Sequence, residues 1–198
     1  DGSALSRAVM TIAENYPQDV LLANMNLLGS HDTPRILTAL ADEYNGSREE
    51  MATRRLSPEQ AQSAQEKLTL AAVLQYALPG SPSIYYGDEA GMEGGKDPFN
   101  RRTYPWGSED PQILCLFQRL GALRKDSPAL RFGDVHFHHA GDGKLCFERS
   151  CPEQKVRVYI NRSHTPWQIE TGNILDNRNL SPNQTTLMQM GYCILEET

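Results

Sequence analysis

The sequence predicts an α/β unit followed by an all-β unit. Up to about Phe132, segments with apolar residues at helical spacing alternate with short apolar runs. From Gly133 onward the pattern changes to short strand-like segments separated by turn residues. We therefore expect two domains, residues 1–132 and residues 133–198.

Three helices are predicted in the first unit. They cover residues 5–16, 57–78 and 110–127. The second has the clearest start: Ser57 and Gln60 form an S-x-x-Q capping box, and Pro58 takes the first helical position. Such a box lets each side chain satisfy a backbone N–H that has no partner within the helix.

Two short strands are predicted on either side of the long helix, at Met25–Gly29 and Ser83–Tyr86. A strand, a helical crossover and a second strand form a βαβ unit, so the strands should be parallel, and we expect the first one to be buried. Polar residues follow both strands, Ser30–Thr33 after one and Gly87–Glu89 after the other, and a further polar loop begins at Asp42. Ligands bind at the carboxyl ends of parallel strands, so these side chains are candidate site residues.

The second unit is predicted to be a small antiparallel sheet or sandwich. Its expected strands are residues 135–137, 144–149, 155–160, 166–170, 185–190 and 192–195. Turn residues separate them, among them Gly141–Gly143 and Asp176–Asn177.

The charge of the chain argues against two classes of partner. The net charge is −6 and the sequence pI is about 5.4, which disfavours nucleic acid and anionic membranes. No apolar run approaches the roughly 20 residues of a membrane span. The sequence begins with Asp1, so a leader peptide cannot be judged, and a cytoplasmic location is the favoured expectation.

Metal-binding patterns are weak. The four cysteines form no C-x-x-C pair, which favours reduced thiols. His136 and His138 would share one face of a strand, and no third ligand is evident beside them or His139. We therefore expect no metal ion and no cofactor in this chain.

Two long motifs resemble the alpha-amylase family of glycoside hydrolases. "NLLGSHDTPRI", residues 26–36, is similar to the end of barrel strand seven in that family, and "GSPSIYYGDEAGMEGGKDPFNRRTYPW", residues 80–106, is similar to strand eight and its loop. The DPFNRR and YYGDE stretches are most similar to the neopullulanase, cyclomaltodextrinase and maltogenic amylase branch. The resemblance implies the last two strands of a (β/α)8 barrel with their helices, followed by a small antiparallel β-sandwich.

The resemblance also implies roles for four residues. Asp32 matches the carboxylate that stabilises the oxocarbenium-like transition state, and His31 matches a histidine that donates to hydroxyls of the same sugar ring. Asp97 and Arg101 match residues that hold a sugar further along the donor side. The implied substrates are α-glucans, malto-oligosaccharides or cyclodextrins.

One departure from the family is large. A retaining glycosidase needs a nucleophile and a general acid about 5–5.5 Å apart, and the family takes them from strands four and five, which this sequence does not contain. We therefore expect the chain alone to be inactive, and calcium in the missing part stays open. Asp88 and Glu89 are a poor substitute pair, because neighbouring side chains tend to point apart.

Other interpretations remain. The chain could be a non-catalytic carbohydrate-binding or self-associating fragment. Without the missing barrel strands, the apolar segments Met25–Leu28 and Leu68–Leu78 would be exposed to water unless another copy covers them. It could also be an unrelated α/β hydrolytic enzyme, although the nucleophile motif G-x-S-x-G is absent. His31 and Asp32 could merely cap a turn, and Arg35 is expected to pair with a carboxylate. Tyr104 and Trp106 could form a stacking platform or fix a loop.

Overall fold

The computed structural model describes residues 1–41 and 47–197, so most of the polar loop predicted from Asp42 lies outside the described residues. The helices are α1 (Gly2–Asn15), α2 (Gln18–Ala23), α3 (Ile36–Ala41), α4 (Arg48–Thr53), α5 (Pro58–Ala77), α6 (Pro111–Asp126) and α7 (Pro128–Phe132). The strands are β1 (Met25–Leu27), β2 (Ser81–Ser83), β3 (Asp134–Gly141), β4 (Lys144–Cys151), β5 (Gln154–Asn161), β6 (Trp167–Gln168), β7 (Asn173–Leu180) and β8 (Thr186–Glu196).

The three helices predicted from sequence are α1, α5 and α6, and all three are confirmed. The capping box of α5 is present: the Ser57 N–H donates to Oε1 of Gln60 at 3.1 Å, and the Gln60 N–H donates to Oγ of Ser57 at 3.2 Å. The other four helices have five or six residues, too few to show a helical period in the sequence. Within the described residues, no helix combines the length and apolarity that a membrane span requires.

Strands β1 and β2 form a two-stranded parallel sheet, which confirms the predicted βαβ arrangement. Helix α5 connects them, and its Gln75 fixes the register of the two strands. Nε2 of this side chain donates to the carbonyl oxygens of Asn26 and Ser83, at 2.9 Å each. The second strand begins and ends earlier than predicted, at Ser81–Ser83.

The prediction that β1 is a buried strand is wrong for this chain. Met25 is 66% exposed and Leu27 is 54% exposed. The reason is that β1 pairs only with β2 among the described strands, which leaves the face of Met25 and Leu27 largely exposed, whereas Asn26 on the opposite face donates to the Gln75 carbonyl of α5. The apolar run of α5, in contrast to β1, is buried: Leu68 and Val73 are both fully buried.

The remaining six strands form one curled antiparallel sheet in the order β3–β4–β5–β8. The last strand pairs with β5 and β6 along one edge and with β7 along the other. An antiparallel sheet is therefore confirmed, and its described strands are one hydrogen-bonded sheet rather than two. Residues 185–190 and 192–195, predicted as two strands, are the single strand β8, in which Met190 has a φ of 52°. Strand β7 was not predicted, because the turn expected at Asp176–Asn177 lies within it at an irregularity in register.

Both faces of this sheet are apolar over its centre. Phe147 and Val158 are fully buried on one face. On the other face Tyr159 and Leu195 belong to a buried cluster, and the partly buried Trp167 packs against it. Helix α1 packs on β3, and α7 packs on β4 and β5.

The described chain divides into two compact units that do not follow the order of the sequence. One consists of residues 1–25, 76–81 and 122–198, and the other of residues 26–75 and 82–121. All four predicted site residues belong to the second unit. The predicted domain boundary after residue 132 stays a prediction.

Candidate functional site

A tight turn after β1 presents His31 and Asp32 to solvent. The Ser30 N–H donates to Oγ1 of Thr33 at 3.0 Å, and Oγ of Ser30 accepts from the Asp32 N–H at 3.2 Å. The Thr33 N–H donates back to the carbonyl of Ser30 at 3.3 Å. Serine and threonine hydroxyls stabilise such turns by replacing backbone partners. The side chains of the two residues at the tip are exposed, at 63% for His31 and 73% for Asp32.

Asn100 ties this turn to the loop that follows β2. It is fully buried, and its Nδ2 donates to the carbonyl oxygens of His31 and Thr33, at 2.7 Å each. The backbone carbonyl of Asn100 accepts from Nε of Arg35 at 2.7 Å. Through its side-chain Nδ2 and its backbone carbonyl, Asn100 fixes the backbone of one loop relative to the other.

The structure brings all four predicted site residues together in one row of charged groups. Nε2 of His31 lies 3.2 Å from Oδ2 of Asp32, and Oδ1 of Asp32 lies 3.9 Å from NH2 of Arg101. Nε of Arg101 lies 2.7 Å from Oδ1 of Asp97. We call His31, Asp32, Arg101 and Asp97 the charged row. Its side chains are exposed, at 73% for Asp32 and 45% for Arg101.

Exposed ion pairs of this kind contribute only about 0–1 kcal/mol each to stability. The charged row is therefore positioned by the backbone beneath it, above all by Asn100, rather than by its own ion pairs. Its carboxylates can accept hydrogen bonds and its guanidinium can donate them. Vicinal hydroxyls of a sugar offer both donors and acceptors, so the row suits a carbohydrate.

A second ion pair, between Arg35 and Asp88, lies beneath the exposed row. NH1 of Arg35 is 3.2 Å from Oδ1 of Asp88, and both side chains are almost completely buried. The same guanidinium donates to the carbonyl of Tyr86 and lies 4.2 Å from the ring centroid of Tyr85. The expectation that Arg35 pairs with a carboxylate is thereby confirmed.

Two glycines make room for this pair. A Cβ at Gly29 would lie 2.7 Å from Oδ2 of Asp88, which is closer than carbon and oxygen can approach. Gly87, which precedes the aspartate, has a φ of +87°, in the left-handed region that favours glycine. Both positions therefore need glycine for the carboxylate to reach Arg35.

Burial raises the pKa of Asp88 to about 6, although the hydrogen bond and the charge of Arg35 act in the opposite direction. The carboxylate is still ionised at neutral pH. A folded-state pKa above the unfolded value means that this group contributes less to stability as the pH rises from about 4 to about 6. Arg35 limits that loss.

The acidic neighbours Asp88 and Glu89 both have structural partners. Oε2 of Glu89 accepts from the Gly87 N–H at 2.8 Å, and its side chain is hydrogen-bonded to Tyr104. Tyr86 likewise lies 4.5 Å from Arg35 and donates its hydroxyl to the Arg102 carbonyl at 2.7 Å. These contacts favour structural roles for the acidic pair and for the tyrosines.

The histidines on β3 do not gather a metal-ligand set. The rings of His136 and His138 meet edge to face with centroids 5.0 Å apart, and Nε2 of His138 lies 3.4 Å from Oε2 of Glu148. In residues 1–41 and 47–197, no three histidine, cysteine, aspartate or glutamate side chains cluster in a way that could hold a metal ion.

Asn100 positions the turn of His31 and Asp32, and this role is not predicted from the sequence. The residue lies inside the DPFNRR stretch, between a phenylalanine and two arginines. Nothing in that local pattern distinguishes a buried asparagine from an exposed one. Its importance is visible only in contacts with residues about 65 positions away.

The chain matches one protein-family model and several relatives that are much longer than the chain itself. The model described as "Alpha amylase, catalytic domain" matches residues 2–112. An amylopullulanase of Thermoanaerobacter thermohydrosulfuricus is 42% identical over 173 residues, which are 82% of this chain and 11% of that protein. A cyclomaltodextrinase of Geobacillus thermopakistaniensis is 35% identical over 171 residues, which are 84% of this chain and 26% of that protein. The chain thus spans about a tenth to a quarter of these relatives.

A solved structure is similar over the whole chain. The debranching enzyme of Nostoc punctiforme, in crystals soaked with acarbose, has a TM-score of 0.76 and 26% sequence identity. The match covers 100% of this chain and 38% of that one.

Replacing Arg35 with methionine tests the buried pair. We expect Arg35→Met to lower the free energy of unfolding by about 3–5 kcal/mol at pH 7, because it leaves the buried Asp88 carboxylate unpaired. The loss should shrink as the pH falls through about 6, because Asp88 is then protonated in both folded proteins and no unpaired buried charge remains in the variant. Denaturant titration at several pH values measures the difference.

Arg101→Met is the matched control, since it removes an exposed arginine that also pairs with aspartates. It should change the free energy of unfolding by about 0–1 kcal/mol. Equal losses for the two variants would contradict the assigned role of Arg35.

Proposed function

Because the chain belongs to the alpha-amylase family, we propose that it is part of a retaining glycoside hydrolase that acts on α-glucans, malto-oligosaccharides or cyclodextrins. The family and its action on α-glucans are supported by relatives named amylopullulanase, cyclomaltodextrinase and maltogenic alpha-amylase. The parallel pair β1–β2 with its crossover helix corresponds in this proposal to the last two strands of a (β/α)8 barrel.

One observation carries the proposal: His31, Asp32, Arg101 and Asp97 form a single exposed row. The row lies on residues that follow both parallel strands, which is where barrel enzymes bind their substrates. Asp32 stabilises positive charge that develops on the sugar ring at the cleaved bond. His31 donates to hydroxyls of the same ring, while Asp97 and Arg101 hold a sugar further along the donor side.

The ion pairs within the charged row prepare it for a sugar. The guanidinium of Arg101 lies between the carboxylates of Asp32 and Asp97, so the three groups are close together before any ligand arrives. A sugar that replaces these weak exposed pairs gains charge-assisted hydrogen bonds at little cost. Preorganised groups stabilise a transition state because they need not reorient during the reaction.

Catalysis needs two further carboxylates that this chain is proposed to lack. Asp88 is buried against Arg35, and Glu89 is bound to Gly87 and Tyr104, so neither is available as a nucleophile or a general acid. Both roles are assigned to residues outside this sequence. We therefore expect the chain alone to carry substrate-binding groups without complete catalysis.

Substitution of Asp32 tests its assigned role in a full-length enzyme that contains this chain. Asp32→Asn should lower kcat by at least about a thousandfold, because an interaction that strengthens in the transition state contributes to kcat. Release of reducing ends from maltohexaose gives the rate. A variant that keeps more than about a tenth of kcat would contradict the assignment, provided that thermal unfolding shows an intact fold.

The isolated 198-residue chain is tested in the same assay. It should release no reducing sugar from the same substrate. Turnover that persists after rigorous purification would mean that residues of this chain supply both missing carboxylates.

Substitution of Arg101 tests the donor-side subsite. We expect Arg101→Ala to weaken binding of maltohexaose by roughly 10-fold to 150-fold, since a hydrogen bond to a charged group contributes about 1.5–3 kcal/mol. Binding of maltose should change less, because a short ligand can avoid this subsite. Isothermal titration calorimetry measures both affinities. Arg131→Ala, which removes an arginine from the other compact unit, is the control, and equal effects on the two sugars would exclude Arg101 from the subsite.

A second candidate role, self-association, is favoured by the exposed apolar residues around β1. Val20 is 42% exposed, and Met25 and Leu27 are more exposed still. The fully buried Leu68 and Val73 of α5 make no contribution to such a surface.

Light scattering at micromolar concentration tests this role. We expect the wild-type chain to form dimers or larger species, and Met25→Lys with Leu27→Lys to shift it towards monomer, because charge on an edge strand opposes pairing. Met188→Lys, at an exposed apolar residue of β8, is the control. A wild-type chain that is a monodisperse monomer would overturn self-association.

A further inference from the structure

Trp106 is the most exposed large hydrophobic residue among those described, at 84%. Most of its side chain is exposed, so it buries little surface against its own loop in the described chain. Tyr104, two residues earlier, is half-buried, and its ring centroid lies 4.5 Å from that of Trp106 at an interplanar angle of 49°. The two rings form an aromatic pair of which one ring faces outward.

The backbone holds this pair in a defined position. The Trp106 N–H donates to the Tyr104 carbonyl at 3.0 Å, and the Ser108 N–H donates to the Pro105 carbonyl at 2.8 Å. Gly107 has a φ of +76°, which closes the turn. The Tyr104 side chain is hydrogen-bonded to Glu89, next to the buried Asp88. The exposed indole is therefore presented by a constrained turn.

Trp106 lies close in sequence to Arg101 of the charged row. Trp106 is five positions after Arg101, so the two Cα atoms lie at most about 18 Å apart, and both residues belong to the same compact unit. A ligand that contacts both must be extended, with hydroxyls for the charged residues and an apolar face for the indole. An oligosaccharide of several α-linked glucose units has both, since C–H groups line one face of each ring.

We propose that Trp106 is a sugar-stacking residue that extends the substrate site beyond Arg101 and makes it select longer oligosaccharides. Tyr104 is a positioning residue, because it supports the indole from one side and is fixed by Glu89. This inference rests on the proposed function, and it adds a contact that depends on the length of the substrate. A sugar face that covers part of the indole should contribute about tenfold in affinity.

Tryptophan fluorescence gives a direct test, because the chain contains only two tryptophans. Trp167 is partly buried and packs against Tyr159, with ring centroids 5.4 Å apart. The variant Trp167→Phe leaves Trp106 as the single reporter. Its emission should shift to shorter wavelength when maltohexaose is added and change little with maltose, while Trp106→Phe should show no sugar-dependent change.

Calorimetry with the same two sugars completes the experiment. Trp106→Ala should weaken maltohexaose binding about tenfold and leave maltose binding within about twofold, whereas Trp106→Phe should retain most of the affinity. Phe132→Ala, which removes a 55%-exposed aromatic residue from the other compact unit, is the matched control and should change neither affinity.

The outcomes separate this inference from the proposed function. Maltohexaose binding that depends on Arg101 but not on Trp106 overturns the stacking role alone. Binding that depends on Trp106 but not on Arg101 overturns the proposed donor-side subsite and leaves the stacking role in place. A wild-type chain that binds neither sugar overturns both.

Discussion

The guanidinium of Arg35 is the group on which the candidate site depends. It pairs with Asp88 from the residues after β2 and donates to the carbonyls of Tyr86 and Asn100. Each of these contacts joins a different part of the two loops that follow the parallel strands. Nε and NH1 of this buried charge have partners among the residues that follow β2, which favours the one arrangement of the loops that supplies those partners. The geometry of the exposed residues follows from that arrangement.

The site thus has two layers of charge with different tasks. The buried layer, Arg35 with Asp88, fixes the backbone and is inaccessible to a ligand. The exposed layer contains residues whose ion pairs contribute little to stability and can be exchanged for hydroxyl groups. Asn100 connects the layers, because its backbone carbonyl faces Arg35 and its side chain holds the turn of His31. Rigid support beneath adaptable contacts is a common requirement of binding sites.

Much of this arrangement could be predicted from sequence because it depends on local chemistry. The capping box at Ser57, the parallel βαβ unit and the pairing of Arg35 each follow from spacing or residue type. Three features could not be predicted, since they arise from partners distant in sequence. The exposure of Met25 depends on which strands lie beside β1, the role of Asn100 depends on two loops meeting, and β7 pairs with β8 through a stretch that reads as a turn.

The packing of α1 against β3 has a consequence for how the protein is made. Residue Gly2 lies beside the backbone of Ala140, and helix and strand belong to the same compact unit. Asn15 ends the helix and Asp134 begins the strand. At about 5–20 residues per second, a ribosome needs on the order of ten seconds to synthesise the intervening segment. Both segments of the other compact unit, residues 26–75 and 82–121, are synthesised within that interval, so the unit that contains α1 and β3 can be completed only after all residues of the other unit have been made.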